Sequence, residues 1–137
     1  MAALTVLVVD DHDIVRRGIC SVLSRDLALQ VVAEAADGEE AVRKAQELKP
    51  DLVLLDISLP GISGIEAARR VRQISPESRI IALTQHDSQQ MIKDAFSAGA
   101  VGYVLKSEAG RELLPAIRTV TKGGSYVSEK AGSTGVT

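Results

Sequence analysis

Aromatic residues are nearly missing from this chain: its 137 residues include two tyrosines, one phenylalanine and no tryptophan. A chain so poor in flat side chains has no stacking platform for nucleobases or a flavin ring. Its one cysteine, Cys20, excludes an internal disulfide and, at a helical position, reads as a small buried hydrophobe. No apolar run approaches the ~18 residues of a membrane span, and Asp10-Asp11 interrupts the first apolar run too early for a secretory leader. Excess positive charge is missing as well. The formal net charge is −2 and the pI about 5.7, so no strongly basic face for nucleic acid is visible. Together these absences favour a soluble cytoplasmic protein of one ordinary domain.

What is present is a set of short apolar runs. Hydrophobic residues make up 45% of the chain and mean hydropathy is +0.11, enough to build a core. Leu52-Val53-Leu54-Leu55 runs straight into Asp56, and Val6-Leu7-Val8-Val9 runs into Asp10-Asp11. Continuous runs of this length read as strands buried on both faces, as in the centre of a parallel sheet. Strands are predicted over Leu4–Val9, Leu29–Ala35, Asp51–Asp56, Arg79–Thr84 and Val101–Leu105. Between them lie amphipathic helical stretches. Asp11–Leu23 carries Val15, Ile19, Val22 and Leu23 at helical spacing. Asp37 and Glu40 open the second helix, Ser63 and Glu66 the third, and Asp87 and Gln90 the fourth, each with the spacing of a capping box. Gly99 closes the fourth helix. Ala109–Thr121 forms the fifth, with Pro115 expected to kink or shorten its first part. From Gly123 onward no helical or strand period is legible, and the segment reads as a linker or frayed tail. Strand and helix alternate throughout, so the fold class is α/β with a parallel sheet and helices on both faces.

In such sheets ligands bind outside the carboxyl ends of the strands. Asp10, Asp11, Asp56, Thr84 and Lys106 all fall there. Singly, each has an ordinary explanation: an aspartate after a strand caps a helix or closes a turn, and a lysine is solvated. All five at the ends of four strands form a constellation. Three carboxylates at one rim stay ionised together only when a cation shares the site. All-oxygen ligands with room for water suit Mg²⁺, and the Ser58 backbone carbonyl, just past a strand end, adds another oxygen. With a phosphoryl group on Asp56, Lys106 and the metal would neutralise its oxygens and Thr84 would donate to them. An ionised carboxylate nucleophile needs no base for this.

The segments Val8-Val9-Asp10-Asp11, Leu54 to Gly61, Ile81-Ala82-Leu83-Thr84 and Gly99 to Lys106 resemble, in order and interval, the receiver domain of two-component response regulators. The match spans roughly residues 4 to 122. Asp10-Asp11-His12, Lys106-Ser107 and Thr121-Lys122-Gly123-Gly124 look like the NarL/FixJ type, whose members usually carry a LuxR-type helix-turn-helix domain after the receiver. The resemblance implies a flavodoxin-like five-stranded sheet of order 2-1-3-4-5. It implies a receiver domain over residues 1–122, with 123–137 as the linker to a DNA-binding domain not included in the chain. It implies Mg²⁺ at Asp10, Asp11, Asp56 and the Ser58 carbonyl, and phosphorylation of Asp56 by a sensor histidine kinase, with Lys106 and Thr84 assisting. Thr84 and Tyr103 match the family's switch pair, Tyr103 moving inward as Thr84 is drawn to the phosphoryl group. The kinase is expected to dock on the first helix at Ile14, Val15 and Gly18, with Arg16 and Arg17 on its solvated face. The protein would catalyse only its own phosphorylation and dephosphorylation, and would regulate transcription, with dimerisation on phosphorylation. Alternatives are a stand-alone receiver acting through protein contacts, or a haloacid-dehalogenase-type phosphatase. The latter needs an acid two residues after its nucleophile, where this chain has Ser58. Gln85 stands where the family usually has a small residue and is expected to narrow access to Asp56.

Overall fold

The protein is seen in a computed structural model that describes residues 3–130. Six strands, β1 (Leu4–Val9), β2 (Leu29–Ala35), β3 (Leu52–Asp56), β4 (Arg79–Thr84), β5 (Ala100–Leu105) and β6 (Tyr126–Val127), form one sheet of order β2-β1-β3-β4-β5-β6. Every pairing is parallel. The predicted order of the first five strands is present, and β6 is an addition that makes the five-strand expectation one strand short.

Alternation along the strands sends successive side chains to opposite faces and so divides the core in two. Val6, Val8, Leu52, Leu54, Ile81, Leu83 and Val104 pack against Ile19, Leu23, Leu113, Ile117 and Val120 of helices α1 (Asp13–Leu23) and α5 (Ala109–Thr121). Leu7, Val9, Val53, Leu55, Ile80, Ala82 and Tyr103 face the other way. They meet Ala41, Ala45, Ala67, Val71 and Ala95 of α2 (Gly38–Leu48), α3 (Gly64–Ile74) and α4 (Gln89–Ser97). Burial of each large aliphatic side chain is worth about 1.5–3 kcal/mol, so these two layers are the main stabilising force. Among the described residues no helix is long and apolar enough to cross a membrane.

Helix ends follow local chemistry, with two departures from expectation. Asp37 accepts from the Glu40 N–H and Ser63 from the Glu66 N–H, as their spacing predicts. The fourth helix is capped by Ser88, whose hydroxyl accepts from the Met91 N–H at 3.1 Å, and Asp87 lies outside it. The first helix begins at Asp13, leaving Asp11 in the loop after β1. Gly99 has φ +115°, which suits its place just after α4. Pro115 sits on the exposed side of α5 and the 13-residue helix runs on through it, because the carbonyl it leaves unpaired belongs to solvent-facing Arg111.

The segment after α5 folds back instead of trailing away. Gly123 turns at φ +93°, and β6 lies along the outer edge of β5, Gly102 opposite Tyr126 and Tyr103 opposite Val127. Ser128 fixes the end: its N–H donates to the Tyr103 carbonyl at 2.8 Å and its buried hydroxyl accepts from the Leu105 N–H at 2.9 Å. The remainder of the predicted tail, 131–137, lies outside the described residues.

Candidate functional site

Register brings the strand ends together. Val9 lies opposite Leu55, Asp56 opposite Leu83, and Thr84 opposite Leu105. Asp10 and Lys106, each one residue past its strand, therefore flank Asp56 and Thr84 on one rim. Asp10 and Asp56 are buried, at 0% and 1% exposure, whereas the Asp11 side chain is 28% exposed.

The two buried acids are held alike. Asp10 Oδ1 accepts from the His12 N–H at 2.8 Å, and Asp56 Oδ1 accepts from the Ser58 N–H at 2.9 Å. Their other oxygens face a shared cation: Lys106 Nζ lies 2.8 Å from Asp10 Oδ2 and 3.1 Å from Asp56 Oδ2. Burial pushes the Asp56 carboxyl above the ordinary carboxylate range, against the opposing pull of the Ser58 N–H and Lys106. Burial lowers the Lys106 ammonium, but its contacts with Asp10 and Asp56 outweigh that and leave it raised. Lys106 thus stays charged at neutral pH and acts as a fixed cation.

Three acids against one lysine leave negative charge in excess. Asp10 Oδ2 and Asp11 Oδ1 are buried atoms that accept no directed hydrogen bond among the described residues, so the Lys106 contact to Asp10 is an ion pair only. Ligand atoms of Asp10, Asp11, His12 and Asp56 lie within 4.8 Å of one another. A hard divalent cation fits this donor set: its oxygens are anionic, under-bonded and close enough to share one ion.

Thr84 is buried, and its hydroxyl accepts from the His86 N–H at 3.0 Å. Tyr103 is fully buried with its hydroxyl donating to the His86 carbonyl at 2.8 Å, and burial raises the phenol's pKa. The expectation of an inward movement meets a ring that is already inside. His86 serves through its backbone, with its side chain exposed.

Ile14 is 83% exposed, while Val15 and Gly18 line a groove of about 510 Å³ between α1 and α5. Gln85 lines the same groove with Lys106 and Ser107, so it borders the approach along α1. Arg17 is exposed as expected, but Arg16 is not on the solvated face. Its side chain is only 17% exposed, and it contacts Asp13, Glu34 and the Asp10 carbonyl. Sequence pattern alone does not single out Gly64. A Cβ there would lie 2.3 Å from the Asp56 carbonyl oxygen. The sequence signal for it was a glycine at the first position of a helix, where glycine has no propensity advantage.

A model of the response regulator receiver domain matches residues 6–118. The response regulator GacA of Pseudomonas viridiflava is 44% identical over 125 residues, covering 91% of this chain and 58% of GacA. The oxygen regulatory protein NreC of Staphylococcus aureus strain JH9 is 41% identical over 128 residues, 93% of this chain and 59% of NreC. The chain thus spans less than two thirds of these relatives. Among solved structures, a LuxR-family two-component response regulator from Aurantimonas sp. SI85-9A1 superposes with TM-score 0.91 at 39% identity, over 99% of this chain and 100% of that one. The isolated REC domain of RcsB from Salmonella enterica serovar Typhimurium, in the presence of phosphomimetic BeF3-, gives 0.87 at 26% identity, over 94% and 96%.

Proposed function

The chain belongs to the response regulator receiver family, on its NarL/FixJ (LuxR-type) branch, and from that premise we propose that Asp56 takes a phosphoryl group from the phosphohistidine of a sensor histidine kinase. The observation that carries the reading is the Lys106 ammonium set between Asp10 and Asp56, 2.8 and 3.1 Å away, on a rim with acid in excess.

Asp10, Asp11, Asp56 and the Ser58 carbonyl would hold Mg²⁺, which when bound neutralises charge on the phosphoryl oxygens. An Asp56 oxygen forms the new P–O bond as the P–N bond to the kinase imidazole breaks, and the imidazole keeps the bonding electron pair. The Ser58 N–H keeps the carboxyl oriented. Lys106 balances charge on the transferred group. The Thr84 hydroxyl, whose oxygen accepts from the His86 N–H, keeps its own proton to donate to a phosphoryl oxygen. Loss of the phosphoryl group to water returns Asp56 to its starting state, so the domain catalyses only its own phosphorylation and dephosphorylation.

Thr84 and Tyr103 both contact the backbone of His86, which supports a switch: a Thr84 side chain drawn toward the phosphoryl group would pull the His86 N–H with it or let it go, and either resets the loop that the Tyr103 hydroxyl holds. The output would be transcription regulation through a DNA-binding domain following residues 123–137, with dimerisation on phosphorylation, in the cytoplasm.

The test is intact mass after incubation with acetyl phosphate. A gain of one phosphoryl group with Mg²⁺, lost with excess EDTA, is expected. Beryllofluoride with Mg²⁺ should shift the NMR signals of Thr84, His86 and Tyr103. No metal-dependent mass gain would end the reading, and unmoved Tyr103 signals would remove that residue from the switch.

In this reading the kinase docks on α1 at Ile14, Val15 and Gly18; the exposure of Ile14 and the groove beside α5 that Val15 and Gly18 line support it. Ile14→Asp should slow transfer from the kinase about tenfold or more, the scale of losing one interface anchor. Acetyl phosphate, which needs no docking face, provides the comparison. An equal slowing with both donors would refute docking at this position.

A further inference from the structure

Arg16 donates from all three of its guanidinium nitrogens around the loop that presents the acid pair. Nη1 donates to the Asp10 carbonyl at 2.7 Å, Nη2 to Asp13 Oδ1 at 2.6 Å, and Nε to Glu34 Oε1 at 2.8 Å. These acceptors come from the end of β1, the start of α1, and β2. A guanidinium is a rigid planar fork, so three acceptors on three elements fix its plane and position.

We infer that Arg16 is a positioning residue for Asp11: by holding the Asp10 carbonyl it fixes the Asp10–Asp11 peptide, and so the direction from which the Asp11 carboxylate enters the metal site. The inference rests on the reading of Asp10, Asp11 and Asp56 as magnesium ligands.

The three acids are not equally constrained. Asp10 and Asp56 each have one oxygen on a backbone N–H and the other at Lys106. Asp11 has neither. Its buried Oδ1 accepts no directed hydrogen bond among the described residues, and its near neighbour is His12 Nδ1 at 3.2 Å. The placement of this carboxylate therefore depends on its own backbone. A peptide unit is planar, so anchoring the Asp10 oxygen also orients the Asp11 nitrogen and Cα. The Asp10 N–H is tied to the Ala35 carbonyl at 3.0 Å, and the Arg16 N–H to the His12 carbonyl at 2.9 Å. Arg16 thus closes the loop from its side chain and its main chain at once.

Charge and geometry predict opposite signs. Arg16 puts a cation close to a cation site, so on charge alone its removal would tighten Mg²⁺ binding. If its role is positional, removal weakens binding, by about tenfold or more on the scale of losing a residue that orients a metal ligand. A merely structural role would lower the melting temperature and leave the affinity unmoved.

The experiment is a Mg²⁺ titration of the unphosphorylated full chain, followed by amide NMR, which also reports whether each variant is folded. Arg16→Gln is expected to weaken Mg²⁺ about tenfold. Arg16→Lys keeps the charge but not the fork and should weaken it several-fold. Glu34→Gln leaves the bond to the Asp10 carbonyl and should stay within about twofold of wild type. In an Asp11→Asn background Arg16→Gln should cost nothing further. Unchanged or tighter binding in both Arg16 variants overturns the inference, as does an equal loss in Glu34→Gln. A wild type that takes up no Mg²⁺ would instead remove the ligand reading, and this inference with it. Wild-type uptake that Asp11→Asn abolishes and the Arg16 variants retain would leave the ligand reading standing alone.

Discussion

Asp56→Asn is expected to take up no phosphoryl group from acetyl phosphate and, without metal, to be more stable than the wild type at neutral pH. The first effect follows from the nucleophile role proposed for Asp56: an amide has no anionic oxygen to form the P–O bond. The second follows from the burial that raises the Asp56 carboxyl, with the Ser58 N–H and Lys106 only partly opposing it. The folded value lies above the unfolded one, so the associated stability is fully present below the unfolded pKa, about 3.9. It is lost as pH rises through the folded value. At neutral pH the wild type carries that cost and the amide does not. Lys106 keeps Asp10 as a partner in the variant. The expected effect is a higher urea midpoint for the variant than for the wild type at neutral pH. Urea melts in EDTA at pH 7 and pH 5 would check this. The advantage should shrink at the lower pH. An advantage that grows on acidification, or a variant weaker than wild type at pH 7, would contradict the account. Added Mg²⁺ should stabilise the wild type and narrow the difference, because a ligand that binds only the folded state shifts the balance by mass action.

Gly64→Ala should be strongly destabilising. The added Cβ would lie 2.3 Å from the Asp56 carbonyl oxygen, 2.4 Å from Ile57 Cα and 2.7 Å from the Ile57 carbonyl oxygen. All three are backbone atoms, and the Gly64 N–H itself donates to Ile57 at 2.9 Å, so neither chain can step aside without breaking that bond. A loss of about 3 kcal/mol or more is expected, at the upper end of overpacking costs. Because the displaced oxygen belongs to Asp56, phosphoryl uptake should fall as well. Gly18→Ala provides the contrast. It lies inside α1 with nothing within 4 Å of the added carbon, so it should gain up to about 1 kcal/mol from helix propensity. Equal melting midpoints for Gly64→Ala and the wild type would show that this close approach is not a constraint.

The legible parts of this fold are those in which one local signal dominates. An uninterrupted apolar run can only be buried on both faces, so β1 and β3, and the acids that end them, were readable directly. Lys106 and Thr84 followed once the strands were ordered, because parallel register brings their ends to one rim. What the sequence hid depends on competition or on distance. Asp87 and Ser88 are both good caps, and only the chain path after β4 selects Ser88. Arg16 occupies a polar helical position whose partners lie on β2 and beyond β1, so helical periodicity alone assigns it to solvent. Two residues are too few to show a strand period, and β6 depends on contacts made by Ser128, which has no local signature.

That short strand also covers one edge of the sheet. Without it, β5 would end the sheet as a six-residue ribbon of open donors and acceptors, the template on which chains pair edge to edge and aggregate. Tyr126 and Val127 cover its middle, Ser128 takes up the Leu105 N–H, and Glu129 and Lys130 follow at once with charge. On this side the sheet ends in a strand two residues long, too short to recruit a neighbour's strand, whereas the opposite side ends in the seven residues of β2. Cover for this one edge is thus built into residues that take no part in the chemistry.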